Sequence, residues 1–293
     1  MNAVLYIIFV FLEKLVPLFP LKLVRWTAVF LGSVFYYFIP IRKKTAVKNL
    51  KIAFPEKSRE EVNKIIKCAY KNIFIVIFEF FYMPNLDLNE LREFVRIENP
   101  GFVKELLTSG NGVIIISAHF GNWELMAWGA SRVFGVPFNV IVKEQANKLI
   151  DKRINRIRES KGNRMIDMNM GIRDTLWLLR NNNVIAMLAD QSAPQNRSVK
   201  VDFFIKDVPV FEGVARFALK TGARVMFGIP TRNKDYSYTV NVKEIDTGKY
   251  KEYNEENVRK LTQEHVNLLV EYITNYPDHW LWFHRRFKHV IKY

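Results

Sequence analysis

The chain has 293 residues, of which 49% are hydrophobic, and a formal charge of +15 at pH 7. Its length fits one large domain or a domain with an appendage, and its apolar content is ample for a packed core, which excludes wholesale disorder. The charge favours anionic partners without choosing between nucleic acid, acidic lipid headgroups, phosphorylated small molecules and an acidic carrier protein. The single cysteine, Cys68, cannot close an intrachain disulfide and reads as a small buried side chain in a helical pattern.

The first 41 residues are expected to form a unit of their own, apolar and helical. Residues 1–40 carry only four charges (Glu13, Lys14, Lys22 and Arg25) and ten aromatics. Residues 1–12 and 26–41 are uncharged, but each run falls short of the roughly 20 residues needed to span hydrocarbon. A secretory signal is not expected, because no positive charge precedes the apolar stretch and no small-x-small cleavage site follows it. A basic cluster comes next, with Arg42, Lys43, Lys44, Lys48 and Lys51. Apolar aromatic helices ending in such a cluster suit a segment that enters an anionic leaflet from the cytoplasmic side. The competing reading is a helical layer of a soluble core with a solvated basic turn. A further apolar stretch, "IFIVIFEFFYM" at 73–83, can join the same surface or line a lipid tunnel.

Residues 42–293 are expected to form an α/β domain. The segment from Pro55 to Pro84 reads as one long helix, with Ser58 and Glu61 at capping-box spacing. Beyond it, short apolar runs at 112–117, 137–142, 184–189 and 223–229 read as buried strands. Helical patterns at about 124–134, 148–161, 171–181 and 212–221 separate them. Alternation at this spacing predicts a mostly parallel central sheet flanked by helices. A last strand at 238–245 alternates polar and apolar, as a strand near an edge does, and a long helix follows at about 255–275.

His119 falls just past the strand "VIIIS", at the end where open α/β sheets gather reactive groups. Glu124 follows five positions later, roughly 140° away if both lay on one unbroken helix. The two can meet only if His119 sits in a turn, which Gly121 permits, and Glu124 in the first helical turn. A carboxylate on one ring nitrogen would fix the tautomer and leave the other nitrogen free to take a proton. Backbone N–H groups near Gly121 and Asn122 could hold a phosphate or a developing oxyanion. No enzyme nucleophile accompanies this pair, so a substrate hydroxyl or water would be activated directly. The spacing alone fits an ordinary buried histidine equally well.

The motif "HFGNWE" resembles the H-x4-D/E signature of the lysophospholipid acyltransferase superfamily. The chain is most similar to its lipid A biosynthesis acyltransferases, through "KTAVKNLKIAFPEKS", "SAHFGNWE", "KEQANKLIDKRINRIRESKG", "LADQS", "VDFF", "FALKTGA" and "WLWFHRRFK". Lys143 and "FFIK" depart from the usual arginine and Phe-Phe-Gly. The resemblance implies a membrane-associated enzyme on the cytoplasmic face of the inner membrane. It implies transfer of an acyl chain from acyl carrier protein or coenzyme A to a glycolipid hydroxyl, a lipid A precursor first of all. His119 would then be the base, Glu124 the residue that orients it, and Arg158 an organiser of the site. No metal and no cofactor beyond the acyl donor is expected.

Asn122, Asp190, Gln191 and Glu212 join Arg158 as candidate substrate-binding residues. Asp190 and Gln191 end the strand "VIAMLA"; Glu212 begins the helix "EGVAR", where it also suits the positive helix end. Lys152, Arg153 and Arg156 can form a positive helix face for an acidic carrier or a phosphate. His279 and His284 fit aromatic packing better than a metal. Three alternatives remain open: a mannosylated phosphoinositide or lysophospholipid acceptor, an acyl hydrolase using water, and a nucleic-acid binder. The last is disfavoured because no RNA- or DNA-binding signature is present.

Overall fold

A computed structural model of the protein describes residues 2–168 and 172–293. The helical first third comprises α1 (Asn2–Leu15), α2 (Leu21–Phe38), α3 (Lys43–Ala53), α4 (Arg59–Tyr82) and α5 (Leu88–Phe94). Strand and helix then alternate: β1 (Val95–Ile97), α6 (Pro100–Leu107), β2 (Val113–Ser117), α7 (Trp123–Phe134), β3 (Phe138–Val142), α8 (Lys148–Glu159), β4 (Arg164–Asp167), α9 (Ile172–Arg180) and β5 (Val184–Leu188). A hairpin of β6 (Ser198–Phe203) and β7 (Ile205–Phe211) precedes α10 (Gly213–Thr221), β8 (Arg224–Arg232), β9 (Tyr238–Ile245) and α11 (Glu255–Asn275). The capping box of α4 is formed, with Ser58 Oγ accepting from Glu61 N and Ser58 N donating to the Glu61 carboxylate. The helix expected at 171–181 is α9, and its first expected residue, 171, lies outside the described residues.

Seven strands form one sheet in the order β1-β9-β8-β2-β5-β3-β4. Every neighbouring pair is parallel except β8–β9. All five residues of β2 are buried, as expected of a β-branched run covered on both faces of a parallel sheet. The pleat divides them. Ile114 and Ile116 face the side covered by α9, α10 and α11, while Val113 and Ile115 face α6 and α7. The strand expected near an edge, β9, lies one place in from it, beside the three-residue β1. β1, β4 and the separate β6–β7 hairpin were not expected: they are short or lack a continuous apolar run.

The chain leaves β2 through α7 toward β3, and leaves β5 through the hairpin and α10 toward β8. Two adjacent strands therefore send their connections to opposite faces. This creates the crevice at strand ends where α/β proteins bind ligands.

The helical first third packs on α4. Ala28 and Gly32 let α2 approach closely, and a Cβ at Gly32 would stand 2.6 Å from the Lys71 Cα. The outward faces of α1 and α2 are apolar, exposing Val4, Ile7, Phe11, Trp26, Phe30 and Phe38. Among the described residues no single helix is long and apolar enough to cross a membrane. α2 and α3 pass that test only as a pair, bent by 92°.

Candidate active site

The turn between β2 and α7 is built around Gly121. Its φ is +54°, and a Cβ there would lie 2.1 Å from the Pro230 carbonyl oxygen, so a side chain is excluded on both conformation and space. The C-terminal segment clamps the turn. Gly121 N donates to His279 O at 3.0 Å, and Leu281 N donates to His119 O at 3.0 Å. The N–H of Gly121, expected to be open to an oxyanion, is thus already engaged. The His279 ring stacks on Phe120, with centroids 5.5 Å apart, as aromatic packing predicted.

Asp190, at the end of β5, reaches across the crevice to the start of the same turn. Its Oδ1 lies 2.8 Å from His119 Nδ1, and its Oδ2 accepts from His119 N at 3.0 Å and from Trp280 Nε1 at 2.8 Å. Burial alone would raise the Asp190 carboxyl, but the imidazole charge and these hydrogen bonds outweigh it and hold the group below the usual carboxylate range. The Gln191 amide faces the other ring nitrogen, with Nε2 at 3.2 Å from His119 Nε2.

Glu124 does not take the place expected for it against the ring. Its carboxylate meets Arg158 on α8 in two parallel contacts, Nε–Oε2 at 2.9 Å and Nη2–Oε1 at 2.6 Å, and accepts from Trp123 Nε1 at 3.1 Å. Burial opposes ionisation of Glu124, yet Arg158 prevails and lowers its pKa. The arginine fork offers fixed planar donors that imidazole lacks, so the carboxylate is drawn to α8 and the ring to β5.

Asn122 is 1% exposed and engaged inside the protein. Its Oδ1 caps α7 by accepting from Leu125 N at 2.9 Å, and its Nδ2 donates to Glu79 Oε2 at 2.8 Å. Glu79 also binds Arg25 Nε at 2.7 Å and the Tyr238 hydroxyl at 2.8 Å. A buried carboxylate on α4 therefore ties α2, β9 and the start of α7 together. This residue was visible only as the lone charge in "IFIVIFEFFYM", where a buried acid requires partners. Glu212 pairs with Arg216 one helical turn away at 2.8 Å. Arg153 turns from the expected basic face to Glu13 at 2.6 Å and Tyr6 at 3.2 Å, joining α8 to α1.

A cavity of about 1900 Å³ opens at this place. Its mouth holds His119, Glu124, Arg158, Gln191 and Glu212, with Asn122 and Asp190 set behind the lining. Its depth is apolar and runs between the sheet and helices α6 and α7, past Leu107, Ile115, Ala130, Phe134 and Phe138. Trp123 and Phe134, at the two ends of α7, both line it, which gives a run of about 16 Å at the helical rise. Such a space suits a long aliphatic chain with its polar end at His119. Among the described residues no three His, Cys, Asp or Glu side chains come together as a metal site would need.

The sequence profile of bacterial lipid A biosynthesis acyltransferases matches residues 2–289. The chain belongs to this family. It is 24% identical to the lipid A biosynthesis palmitoleoyltransferase of Escherichia coli K12 over 266 residues, covering 88% of this chain and 82% of that one. It is 24% identical to the lipid A biosynthesis lauroyltransferase of the same organism over 270 residues, covering 88% and 83%. A phosphatidylinositol mannoside acyltransferase of Mycolicibacterium smegmatis is also 24% identical, over 207 residues, covering 69% and 65%. The protein is an acyltransferase, and its family implies a lipid acceptor.

Two further groups of this acyltransferase were visible in the sequence only as part of the closing "WLWFHRRFK". Trp280 supplies the third hydrogen bond to the Asp190 carboxylate. Arg286, 2% exposed, donates to Pro209 O at 3.1 Å and lies over the Phe203 ring, and burial pushes its pKa down to about 10. Both come from the closing "WLWFHRR", whose backbone passes behind the turn that carries His119.

Proposed function

We propose that this acyltransferase moves a fatty acyl chain from an acyl thioester, on acyl carrier protein or coenzyme A, to a hydroxyl of a lipid A precursor. The observation that carries the reading is a histidine on the lining of a long, largely apolar cavity, with one ring nitrogen held by a buried carboxylate. With Nδ1–H donating to Asp190, Nε2 is the acceptor, met in this structure by the Gln191 amide. The acceptor hydroxyl takes the position now met by the Gln191 amide and gives its proton to Nε2. Its oxygen then attacks the thioester carbonyl. When the tetrahedral intermediate collapses, the carbon–sulfur bond breaks and the imidazolium returns its proton to the thiolate. An ester and a free thiol result, with His119 restored. Asp190 stabilises the imidazolium and keeps the ring in register. The Glu124–Arg158 pair holds α7 and α8 together at the mouth, and Arg158 is the group there suited to an acceptor phosphate or a pantetheine phosphate.

The basic stripe of α8, with Lys148, Lys152 and Arg156 exposed at four-residue spacing, supports docking of an acidic carrier protein. The exposed apolar faces of α1 and α2 beside a basic cluster support residence at the cytoplasmic face of the inner membrane.

The test is mass spectrometry of purified enzyme given acyl carrier protein or coenzyme A thioesters, with a lipid A precursor or a mannosylated phosphoinositide as acceptor. A gain of one acyl mass on the lipid A precursor, absent with His119→Ala, supports the reading. A gain only on the phosphoinositide moves the acceptor class, and free fatty acid alone moves the protein to hydrolysis.

A further inference from the structure

We propose that a second cleft, between the α2–α3 turn and the start of α4, binds the phosphate headgroup of one anionic phospholipid. The cleft has a volume of about 700 Å³ and shares no lining residue with the reaction cavity. Among the described residues five cations surround it, Arg42, Lys43, Lys44, Lys51 and Arg59, and no carboxylate lines it. Among the described residues none of the five is paired with an Asp or Glu, whereas Arg25, Arg153, Arg158, Arg216 and Arg224 all are. Glu60 and Glu61 lie on the same turn as Arg59 but outside the lining, and Glu61 is turned into the Ser58 capping box.

The cations are positioned on helices. Lys44, Val47 and Lys51 share one face of α3 at three- and four-residue spacing. Lys43 is held with its ammonium 3.7 Å from the Tyr36 ring centroid. Arg42 occupies the bend itself, with φ +56°, and one of its nitrogens donates to Phe283 O at 3.3 Å, leaving its other donors open. A residue without a glycine's freedom in the left-handed region persists only where its surroundings hold it.

A headgroup, rather than a free anion, is indicated by what adjoins the cleft. Phe38 is 80% exposed, and Ile39 and Ile41 are exposed beside it, continuing the apolar face of α2. Cations at one level and aliphatic surface next to them match a phosphate above its own acyl chains. The proposal concerns lipid that is held rather than acylated. It would seat the bend of α2 and α3 at headgroup depth.

The test uses the full chain carrying His119→Ala, so that binding is read without turnover and failure of the acyl-transfer reading leaves the result intact. Binding is measured to vesicles of phosphatidylcholine alone and of phosphatidylcholine mixed with phosphatidylglycerol. The charge-removing set Lys44→Gln, Lys51→Gln and Arg59→Gln is expected to weaken binding to the mixed vesicles on the order of a hundredfold. The same loss of charge elsewhere, Lys104→Gln on α6, Arg180→Gln on α9 and Lys251→Gln before α11, all exposed, should leave it within about twofold, the change expected of a distant screened charge. Native mass spectrometry should find one phosphatidylglycerol retained per chain and lost in the first set. Lys44→Arg with Lys51→Arg should retain it, which separates loss of charge from loss of fold. Equal weakening by both sets would mean a diffuse field and overturn the proposal. So would an unchanged affinity in the first set, or displacement of the retained lipid by inorganic phosphate.

Discussion

Asp190 binds His119 twice, through the ring at Nδ1 (2.8 Å) and through the backbone nitrogen (3.0 Å), so one carboxylate fixes both the imidazole and the turn that carries it. The two residues are 71 positions apart and meet because β2 and β5 are neighbours in the sheet. Asp190→Asn keeps the shape but loses the charge that favours imidazolium and the preference for Nδ1–H. Turnover is expected to fall by about 10²–10⁴, close to the loss in His119→Ala, and the double variant should lose little more. Steady-state kinetics on folded protein checks this. Near-native turnover in Asp190→Asn would remove it from the mechanism.

Glu124 and Arg158 should behave as one unit. Glu124→Gln leaves a largely buried guanidinium unpaired, and Arg158→Lys replaces a planar fork with a point charge. Each is expected to lower both stability and turnover. A double-mutant cycle with Arg158→Gln should give a coupling energy of about 1–3 kcal/mol by chemical denaturation. Strict additivity would mean the pair contributes nothing as a pair.

Gly121→Ala is expected to be more damaging than its size suggests. It puts a methyl group against the Pro230 carbonyl at a positive φ. A loss of about 2 kcal/mol or more is expected, together with a fall in kcat, because His119 moves with the turn. Asn122→Ala removes the α7 cap and one partner of Glu79, with an expected cost of about 1–2 kcal/mol. Thermal melts beside kinetics distinguish these from a purely local effect on substrate.

Cavity length should set acyl preference. Ala130 faces the apolar depth from the middle of α7, so Ala130→Phe shortens the usable space and should shift preference toward shorter acyl donors. Phe134→Ala, near the far end, should extend it. Competition between thioesters of different chain length reads the shift directly. Unchanged preference in both variants would mean the chain lies elsewhere.

His265 on α11 makes stability depend on pH. Burial pushes its pKa down to about 4 from an ordinary value near 6.5. Its folded pKa is the lower one, so the unfolded chain takes up a proton first as pH falls. Stability is therefore full above pH 6.5 and declines between 6.5 and about 4, with a total of about 3 kcal/mol from this residue. Between pH 6 and pH 5 the native protein should lose about 1 kcal/mol more than His265→Leu in urea unfolding. Parallel curves would count against it.

Much of this protein is local in the sequence. The β-branched runs, the capping box of α4 and the alternation of strand and helix depend on neighbours within a few residues, so the sheet and its flanking helices were legible before any contact was known. His119, the glycine turn and the strand end before them were legible for the same reason. The short β1 and β4 and the β6–β7 hairpin were not, because a few residues at an edge or in a separate ribbon carry too little periodicity.

What the tertiary structure decided is which charges meet. Spacing paired His119 with Glu124, five residues away, whereas folding gave the ring to Asp190 and the glutamate to Arg158. Glu79 and Trp280 likewise meet their partners across elements far apart in the chain. Hydrophobic pattern is written along the backbone, but a buried charge chooses its partner by geometry and desolvation, which exist only once strands and helices are packed.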